Sequence, residues 1–510
     1  MVRLVATTCL AATLAVSALA AAGLVPRTPR QTFVRRSLGE RGSAAPMRGG
    51  GSLQAQAPAT RPNIIMIVTD DQASWSLGSY GNADARTSSI DRIAAEGVRF
   101  TNVFTPSPVC SPSRATRLSG QYGTQVGITD WINPDEAKAG AGLPPETTTW
   151  AEALQQAGYR TGLVGKWHLG SQPRFHPTRH GYASFFGFLG GGAEPMNPRL
   201  VDEAGVERVF PGPEPDVLTE AALRFLAQEP GRPFALSLHY RAPHTPYGPV
   251  PEQDLAPFRD AEVAIPVFPG LDQAQVRRWT REYYASIHSI DRNIGRLLNT
   301  LAQTGLDKTT VVIFTSDHGY NIGHHGLHTK GNGTWIAGGI NGPTMPNMFD
   351  TSLRPPFLVR GPGVAGAGRV VDAMVSFVDI YPTLLSLAGV PMPATAPRHG
   401  RDLAPLLRGD AVPQWRDAIY GQYDIHHYAI AHLRMIREAG WKLVRSYGTT
   451  TKDQLFDLAA DPGELENLWA AGGQAERRRS MERRLREWMQ SIDDPVLKEK
   501  GLLFQPAPEM

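Results

Sequence analysis

Four stretches of the sequence join an apolar run to polar, chemistry-bearing residues at its carboxyl end. Residues 63–69 run into Asp70 and Asp71, 161–165 into Lys166 and His168, 234–240 into Arg241 and His244, and 311–315 into Asp317 and His318. Each pair taken alone is also what a solvated turn or a helix cap looks like. Continuous apolar runs of this length are the pattern of strands buried on both faces. Open α/β sheets bind their ligands outside the carboxyl ends of such strands. Four of these ends would bring acids, imidazoles and a lysine to one place. Three carboxylates there, Asp70, Asp71 and Asp317, repel one another unless a cation sits among them. Hard oxygen donors favour Ca²⁺, with Mg²⁺ as the alternative, over Zn²⁺.

Cys110 is a second candidate. It opens Cys110-Ser-Pro-Ser-Arg114-Ala-Thr-Arg-Leu-Ser-Gly120, where Pro112 suits the first turn of a helix and Ser111 its cap. That places Cys110 beside a helix N-terminus, where negative charge is favoured. The thiol then reads as a low-pKa thiolate nucleophile, as a buried inert cysteine, or as a side chain that is chemically modified.

The elements that would carry these residues alternate. Helices are expected at 89–96, 148–157 and 281–303, the last with Tyr284, Ile287, Ile290, Ile294, Leu297 and Leu301 at spacings of three or four. Strand–helix alternation implies a large, mostly parallel α/β sheet covered by helices on both faces. Beyond about residue 412, short strand-like pieces at 418–423, 441–445 and 454–458 precede a charged helix at 475–493. The expected organisation is therefore a segment at 1–20, a linker at 21–61, a catalytic domain at 62–411 and a smaller α+β subdomain at 412–510. Residues 185–188 with Gly190–Gly192 read as a pocket wall or a turn. Residues 331–350 read as a long Gly/Asn/Pro loop over the cleft.

Composition bounds the function. The 510 residues are 41% apolar and 19% charged, with 52 glycines and 42 prolines, which suits a loop-rich enzyme and excludes collagen, coiled coil and wholesale disorder. A formal charge of +3 gives no case for nucleic-acid binding. Arg3, the apolar run 4–24 and the small-x-small site Ala18-Leu19-Ala20 read as a cleaved export signal rather than a stable transmembrane anchor. The expected location is periplasmic or extracellular. Cleavage leaves Cys110 as the single cysteine of an exported chain, which makes a modified Cys110 the sharper reading.

The Cys110–Gly120 segment resembles the signature Cys-x-Pro-Ser-Arg-x-x-x-Leu-(Ser/Thr)-Gly of the type I sulfatases, in the alkaline-phosphatase-like superfamily. Asp70-Asp71-Gln72, Gly165-Lys166-Trp167-His168-Leu169-Gly170, Ala242-Pro243-His244-Thr245-Pro246, Ser316-Asp317-His318-Gly319 with Lys330, and 454–468 resemble further blocks of the family, over about residues 61–470. The resemblance implies that a formylglycine-generating enzyme oxidises Cys110 to an aldehyde, formylglycine. It implies that Asp70, Asp71, Cys110, Asp317 and His318 hold one divalent cation. Many members carry Asn at the position of His318, so direct ligation by His318 stays open. Arg114, Lys166, His244 and Lys330 would surround the sulfate with positive charge. The aldehyde hydrate would attack sulfur, with His244 or Lys330 protonating the departing alcohol. His168 would take the proton of the remaining hydroxyl as sulfate is eliminated. An exported sulfatase points to a sulfated carbohydrate as substrate. The competing readings are a phosphate or phosphonate ester hydrolase of the same superfamily and a non-catalytic glycan-binding relative. His239, His324, His325 and His328 are candidates only for packing or for the substrate shell.

Overall fold

The structure is a computed structural model, and it describes residues 61–397, 399–447 and 451–498. The expected export signal, and the expected linker up to residue 60, lie outside these residues. Among the described residues no helix is long and apolar enough to cross a membrane.

The apolar runs form the centre of a ten-stranded sheet. Its strands are β1 (Asn63–Thr69), β2 (Val98–Phe100), β3 (Arg160–Lys166), β4 (Ser184–Phe188), β5 (Arg199–Val201), β6 (Glu207–Val209), β7 (Phe234–His239), β8 (Thr310–Ser316), β9 (Phe357–Arg360) and β10 (Arg369–Val371), in the order β10-β2-β9-β8-β1-β7-β3-β4-β5-β6. The five central strands β8, β1, β7, β3 and β4 are parallel, whereas β9 runs antiparallel to both of its neighbours. The α/β sheet expected from alternation is thus present, mixed at its edges.

Successive residues of β1 feed opposite layers, as a two-fold pleat requires. Ile65 and Ile67 join a core with α1 (Ser88–Ala95), α4 (Glu214–Leu226) and α5 (Gln273–Thr304). Ile64, Met66 and Val68 join another with α2 (Cys110–Ser119), α3 (Trp150–Gln156) and α6 (Ile380–Leu387). All seven residues of β1 are buried, which explains why the run shows no polar alternation. Helix α5 starts earlier than its apolar period suggests, because Asp272 accepts the Gln275 N–H at 3.1 Å as its N-cap.

The C-terminal strands Ala418–Ile425, Ala431–Glu438, Trp441–Ser446 and Gln454–Asp457 form a four-stranded antiparallel sheet. The second strand escaped the sequence reading because its charged residues Arg434 and Arg437 are buried in ion pairs with Asp424, Asp494 and Asp350. One face of this sheet packs on α7 (Ala475–Ser491) through Ile436, Leu443, Leu455, Met481 and Leu485. The other packs Tyr423, Leu433 and Met435 against Phe104 and Val109, directly behind the start of α2.

Two expectations are corrected. Of the expected pocket wall, residues 185–188 lie instead in β4, where Phe185, Phe186 and Phe188 are core, whereas Gly191 and Gly192 do line a cavity. Residues 331–350 are not one loop. Asn332–Trp335 and Thr344–Pro346 pair antiparallel and extend a small sheet begun by Asn321–Ile322 and Leu327–Thr329. Polar and glycine-rich strands of a two-sided sheet carry too little apolar signal to be read from sequence.

Candidate active site

The four strand ends do converge. The β1 end supplies Asp70 and Asp71, β3 Lys166, and β8 Asp317 and His318; β7 leads to Arg241 and His244. Backbone bonds Asp317 N–H to Thr69 O (3.1 Å) and Asp70 N–H to Ala242 O (3.3 Å) stitch these turns together. Gly165 precedes Lys166 at φ 108°, and a Cβ there would lie 1.8 Å from His239 O. Only glycine lets β3 approach β7 at this point. Asp71 and His168 are held at φ 66° and 61°, a backbone strain of order 1–3 kcal/mol each that the surroundings must over-determine. For Asp71 the cause is visible. Its N–H donates to Asp317 Oδ1 at 3.2 Å, and its carbonyl accepts from the Tyr283 hydroxyl of α5 at 2.8 Å.

Cys110 is the first residue of α2, with Val109 as N-cap. This corrects the expected Ser111 cap: the Ser111 hydroxyl instead accepts the Ile132 N–H at 3.0 Å. Cys110 Sγ lies 3.5 Å from Asp70 Oδ1, 3.5 Å from His318 Nε2 and 3.0 Å from Lys330 Nζ. Lys330 reaches in from the turn between Leu327–Thr329 and Asn332–Trp335, which is pinned by Gly331 N–H on Pro108 O (3.0 Å) and Asn347 Nδ2 on Lys330 O (2.9 Å). It donates to Asp71 Oδ1 at 2.7 Å. Lys166 donates to Asp70 Oδ2. Arg114, one turn along α2, donates to Asp317 Oδ2 through Nε and Nη2 at 3.1 and 3.0 Å. Ser113 donates to Asp317 O.

Burial disfavours the charge of Asp70, yet Lys166, His244, Arg114 and Lys330 hold it well below the usual carboxylate range. Asp71 is lowered likewise, against its burial, chiefly by Lys330. Burial, reinforced by Asp70, pushes the Cys110 thiol up to about 12. Without a bound cation this speaks against the thiolate reading. The helix N-terminus does not offset desolvation beside two carboxylates, so an unmodified Cys110 stays a neutral, weak nucleophile.

The acceptors converge in a way that suits a hard cation. His318 Nδ1 donates to Gly319 O at 2.8 Å, which leaves the Nε2 lone pair facing Asp71 Oδ1 (3.3 Å) and Asp317 Oδ1 (3.5 Å). Ligand atoms of Asp70, Cys110, Asp317 and His318 all lie within 4.8 Å of one another, as do those of Asp70, Asp71, Cys110 and His244. Three carboxylates face three cationic side chains here. A bound divalent ion would make the cluster net positive, the sign an ester monoanion needs.

A cavity of about 870 Å³ opens over Cys110. Asp71, His168, Arg241, His244 and Lys330 line it, with Trp131, Pro134 and Tyr428 at one side and Asn332, Thr334 and Thr344 of the small sheet at another. His244 donates Nδ1–H to Thr245 O at 2.7 Å and turns Nε2 toward Asp71 Oδ2 at 3.7 Å; burial lowers it to about 4. His168 binds Ile132 O through Nε2 at 2.9 Å, its Nδ1 is without a protein partner, and burial followed by Lys166 holds it well below the imidazole range. It contributes a neutral ring to the cavity wall. His239 is packing, its ring set between Lys166 O and Arg117. His324 and His325 pack on Trp75 and Phe349, and His328 stacks on Trp279.

Sequence reasoning missed Tyr283, whose helical spacing reads as core, and the side chains Trp131 and Tyr428, which had no motif. It also missed Glu214, which supports the Arg241 turn by accepting its N–H at 2.7 Å. Burial raises Glu214 to about 7. Between about pH 4.5 and 7 the folded chain keeps a proton there that the unfolded chain releases, so this residue subtracts stability as pH rises through that window. Glu214→Gln should therefore raise the unfolding free energy at pH 8, relative to its effect at pH 4.5, by up to about 3 kcal/mol. Urea unfolding of both proteins at both pH values tests this; an equal difference at the two would refute it.

Comparison with known proteins agrees with this geometry. Residues 62–390 match the Sulfatase family, and 346–491 match the family "N-sulphoglucosamine sulphohydrolase, C-terminal". The mouse steryl-sulfatase is 30% identical, the match covering 89% of this chain and 84% of that protein. An N-acetylglucosamine-6-O-sulfatase of Bacteroides thetaiotaomicron is 27% identical over 85% of this chain and 87% of that protein. A solved protein in complex with its substrate D-glucosamine-2-N,6-O-disulfate superposes with a TM-score of 0.75 at 25% identity, covering 86% of this chain and all of that one. With Cys110 at the centre of the converging strand ends and relatives along most of its length, the chain belongs to the sulfatase family and is a sulfuric ester hydrolase.

Proposed function

We propose that this enzyme is exported and removes sulfate from a sulfated carbohydrate, using formylglycine made from Cys110 and one divalent cation, Ca²⁺ before Mg²⁺. The observation that carries the reading is the setting of Cys110: buried at the convergence of the strand ends, among carboxylate and imidazole acceptors and an ammonium group. A thiol there is inert, whereas an aldehyde hydrate at the same position would supply the attacking hydroxyl. Asp70, Asp71, Asp317 and His318 would hold the ion, which supplies Lewis-acid stabilisation of the sulfate oxygens. The carbohydrate substrate is supported by the relative that acts on N-acetylglucosamine 6-sulfate and by the neighbour bound to a disulfated glucosamine. The cavity volume falls in the range of small-ligand sites.

The chain's own groups divide the remaining work. Arg114 and Lys166 balance the charge of Asp317 and Asp70 from the protein side. Lys330 stays protonated: burial opposes its charge, but Asp71 and the other carboxylates raise it well above its usual value. It is the group at hand to protonate a departing alkoxide; His244 Nε2 could donate to the leaving oxygen only with a second proton on its ring. His168, held neutral in the wall, accepts a proton in the release step.

Digestion and mass analysis of the Cys110 peptide should show an aldehyde trapped by a hydrazide. The protein should cleave 6-O-sulfated N-acetylglucosamine faster than aryl phosphate or phosphonate esters. A thiol in fully active protein would overturn the modification; a preference for phosphorus would overturn the substrate class. Lys330→Ala should slow sugar sulfates by about 10²–10⁴ and a nitrophenyl sulfate much less, because an acid matters most for a poor leaving group. Equal losses on both would remove Lys330 from the acid role.

A further inference from the structure

A second cluster lies beside the mouth of the cavity. Asp130 is buried; His426 and His427 sit in the connection between the strands Ala418–Ile425 and Ala431–Glu438; Glu136 lies in the short helix Pro134–Ala139. Glu136 accepts from both imidazoles, Oε1 from His426 Nε2 at 2.8 Å and Oε2 from His427 Nε2 at 3.0 Å. In the neutral rings with Nε2–H donating, both Nδ1 atoms carry lone pairs, and both turn to one oxygen. Asp130 Oδ2 is 2.9 Å from His427 Nδ1 and 3.9 Å from His426 Nδ1. The three atoms lie within 4.8 Å of one another. In that state three acceptors face each other, and a cation between them, a metal ion or a proton on one ring, relieves the repulsion. In a tetrahedral site with bonds of about 2.0 Å, donors stand about 3.3 Å apart, and the two distances bracket this value. The Asp130 carboxylate is itself fixed: Oδ1 accepts from Trp131 N–H (2.9 Å) and the Tyr423 hydroxyl (3.3 Å), and Oδ2 from His426 N–H (3.1 Å).

We propose that Asp130 Oδ2, His426 Nδ1 and His427 Nδ1 form a second metal site, for a borderline transition ion such as Zn²⁺, with Glu136 as the carboxylate that orients both rings. Imidazole nitrogen separates it from the oxygen-rich cluster at Cys110, which suits a harder ion. A carboxylate on the far nitrogen of each ring is the usual way a protein fixes the tautomer of a ligating histidine. The more than half-exposed His426 side chain gives the ion an entry path and leaves room for water as a further ligand. The site ties the 426–430 connection to the 130–139 segment. Trp131, whose ring centroid is 4.7 Å from that of His427, stacks on Tyr428 at 6.1 Å and 25°. Both rings line the catalytic cavity, so occupancy of this site sets the shape of its mouth.

The test uses the untagged full chain in excess Ca²⁺, dialysed against Zn²⁺, with Co²⁺ as a spectroscopic probe. The expected result is one Zn²⁺ per chain and a visible Co²⁺ ligand-field band, both retained in Asp317→Asn, which disables the catalytic cluster while keeping much of the stability. His426→Ala, at a solvent-facing position that should not disturb folding, and His427→Gln should lose both. Glu136→Gln should bind Zn²⁺ about 10–100-fold more weakly. The proposal is overturned by zinc stoichiometry that is the same in the parent and both histidine variants, by a parent that binds no Zn²⁺, or by binding that disappears in folded Asp317→Asn.

Discussion

Cys110→Ala should abolish turnover, by about four orders of magnitude or more, while the protein unfolds within a few degrees of the parent. The side chain is small, and the structure around it is held by other contacts: Arg114 on Asp317, Lys166 on Asp70 and the backbone bonds between strand ends. The polar atom lost from this position, sulfur or aldehyde oxygen, costs about 1 kcal/mol of packing. Removing a group that burial and Asp70 push up to about 12 also removes nothing that is charged at neutral pH. Cys110→Ser is the sharper companion. A serine hydroxyl can accept the sulfuryl group but has no second hydroxyl from which to expel it. That variant should retain about one sulfate per chain after a single, slow turnover, readable as a mass increase on the Cys110 peptide. Sustained turnover by Cys110→Ser would sink the two-hydroxyl chemistry.

Asp317→Ala should lower activity by about 10³-fold or more and abolish tight binding of the divalent ion at the Cys110 cluster, measured by calorimetric Ca²⁺ titration and assay in parallel. It should also cost about 3–5 kcal/mol of stability, because buried Arg114 makes both of its carboxylate hydrogen bonds to Asp317 and would keep only a 3.6 Å ion pair with Asp70. Asp317→Asn keeps the shape and part of the hydrogen bonding, so it should recover much of the stability and little of the activity. That difference separates ion binding from folding. Parent activity that persists unchanged after exhaustive chelation would contradict a role for the ion.

The strain at Asp71 and His168 fits the same picture. Both left-handed residues sit where strands deliver side chains into the cluster, and Tyr283 and Asp317 hold Asp71 there. Order that is built from helix α5 and strand β8 together is not visible in either segment alone.

What the sequence determined by itself is the set of strand ends and the residue types they carry. Runs such as 63–69 and 311–315 are apolar throughout because both faces of the central sheet are covered, and a strand so buried can place polar groups only at its ends. Asp70, Asp71, Lys166, Asp317 and the Cys110 segment were therefore legible, and with them the sulfatase family. Tertiary structure alone decided the rest. The protonation of Cys110 depends on how completely the fold buries it beside Asp70, not on the helix it begins. The polar strands at 332–335 and 344–346, which deliver Lys330 and line the cavity, are held by pairing with each other rather than by a buried apolar face. The Asp130, Glu136, His426 and His427 cluster joins residues about 290 positions apart, and no local pattern records a contact made only when two distant segments fold against one another.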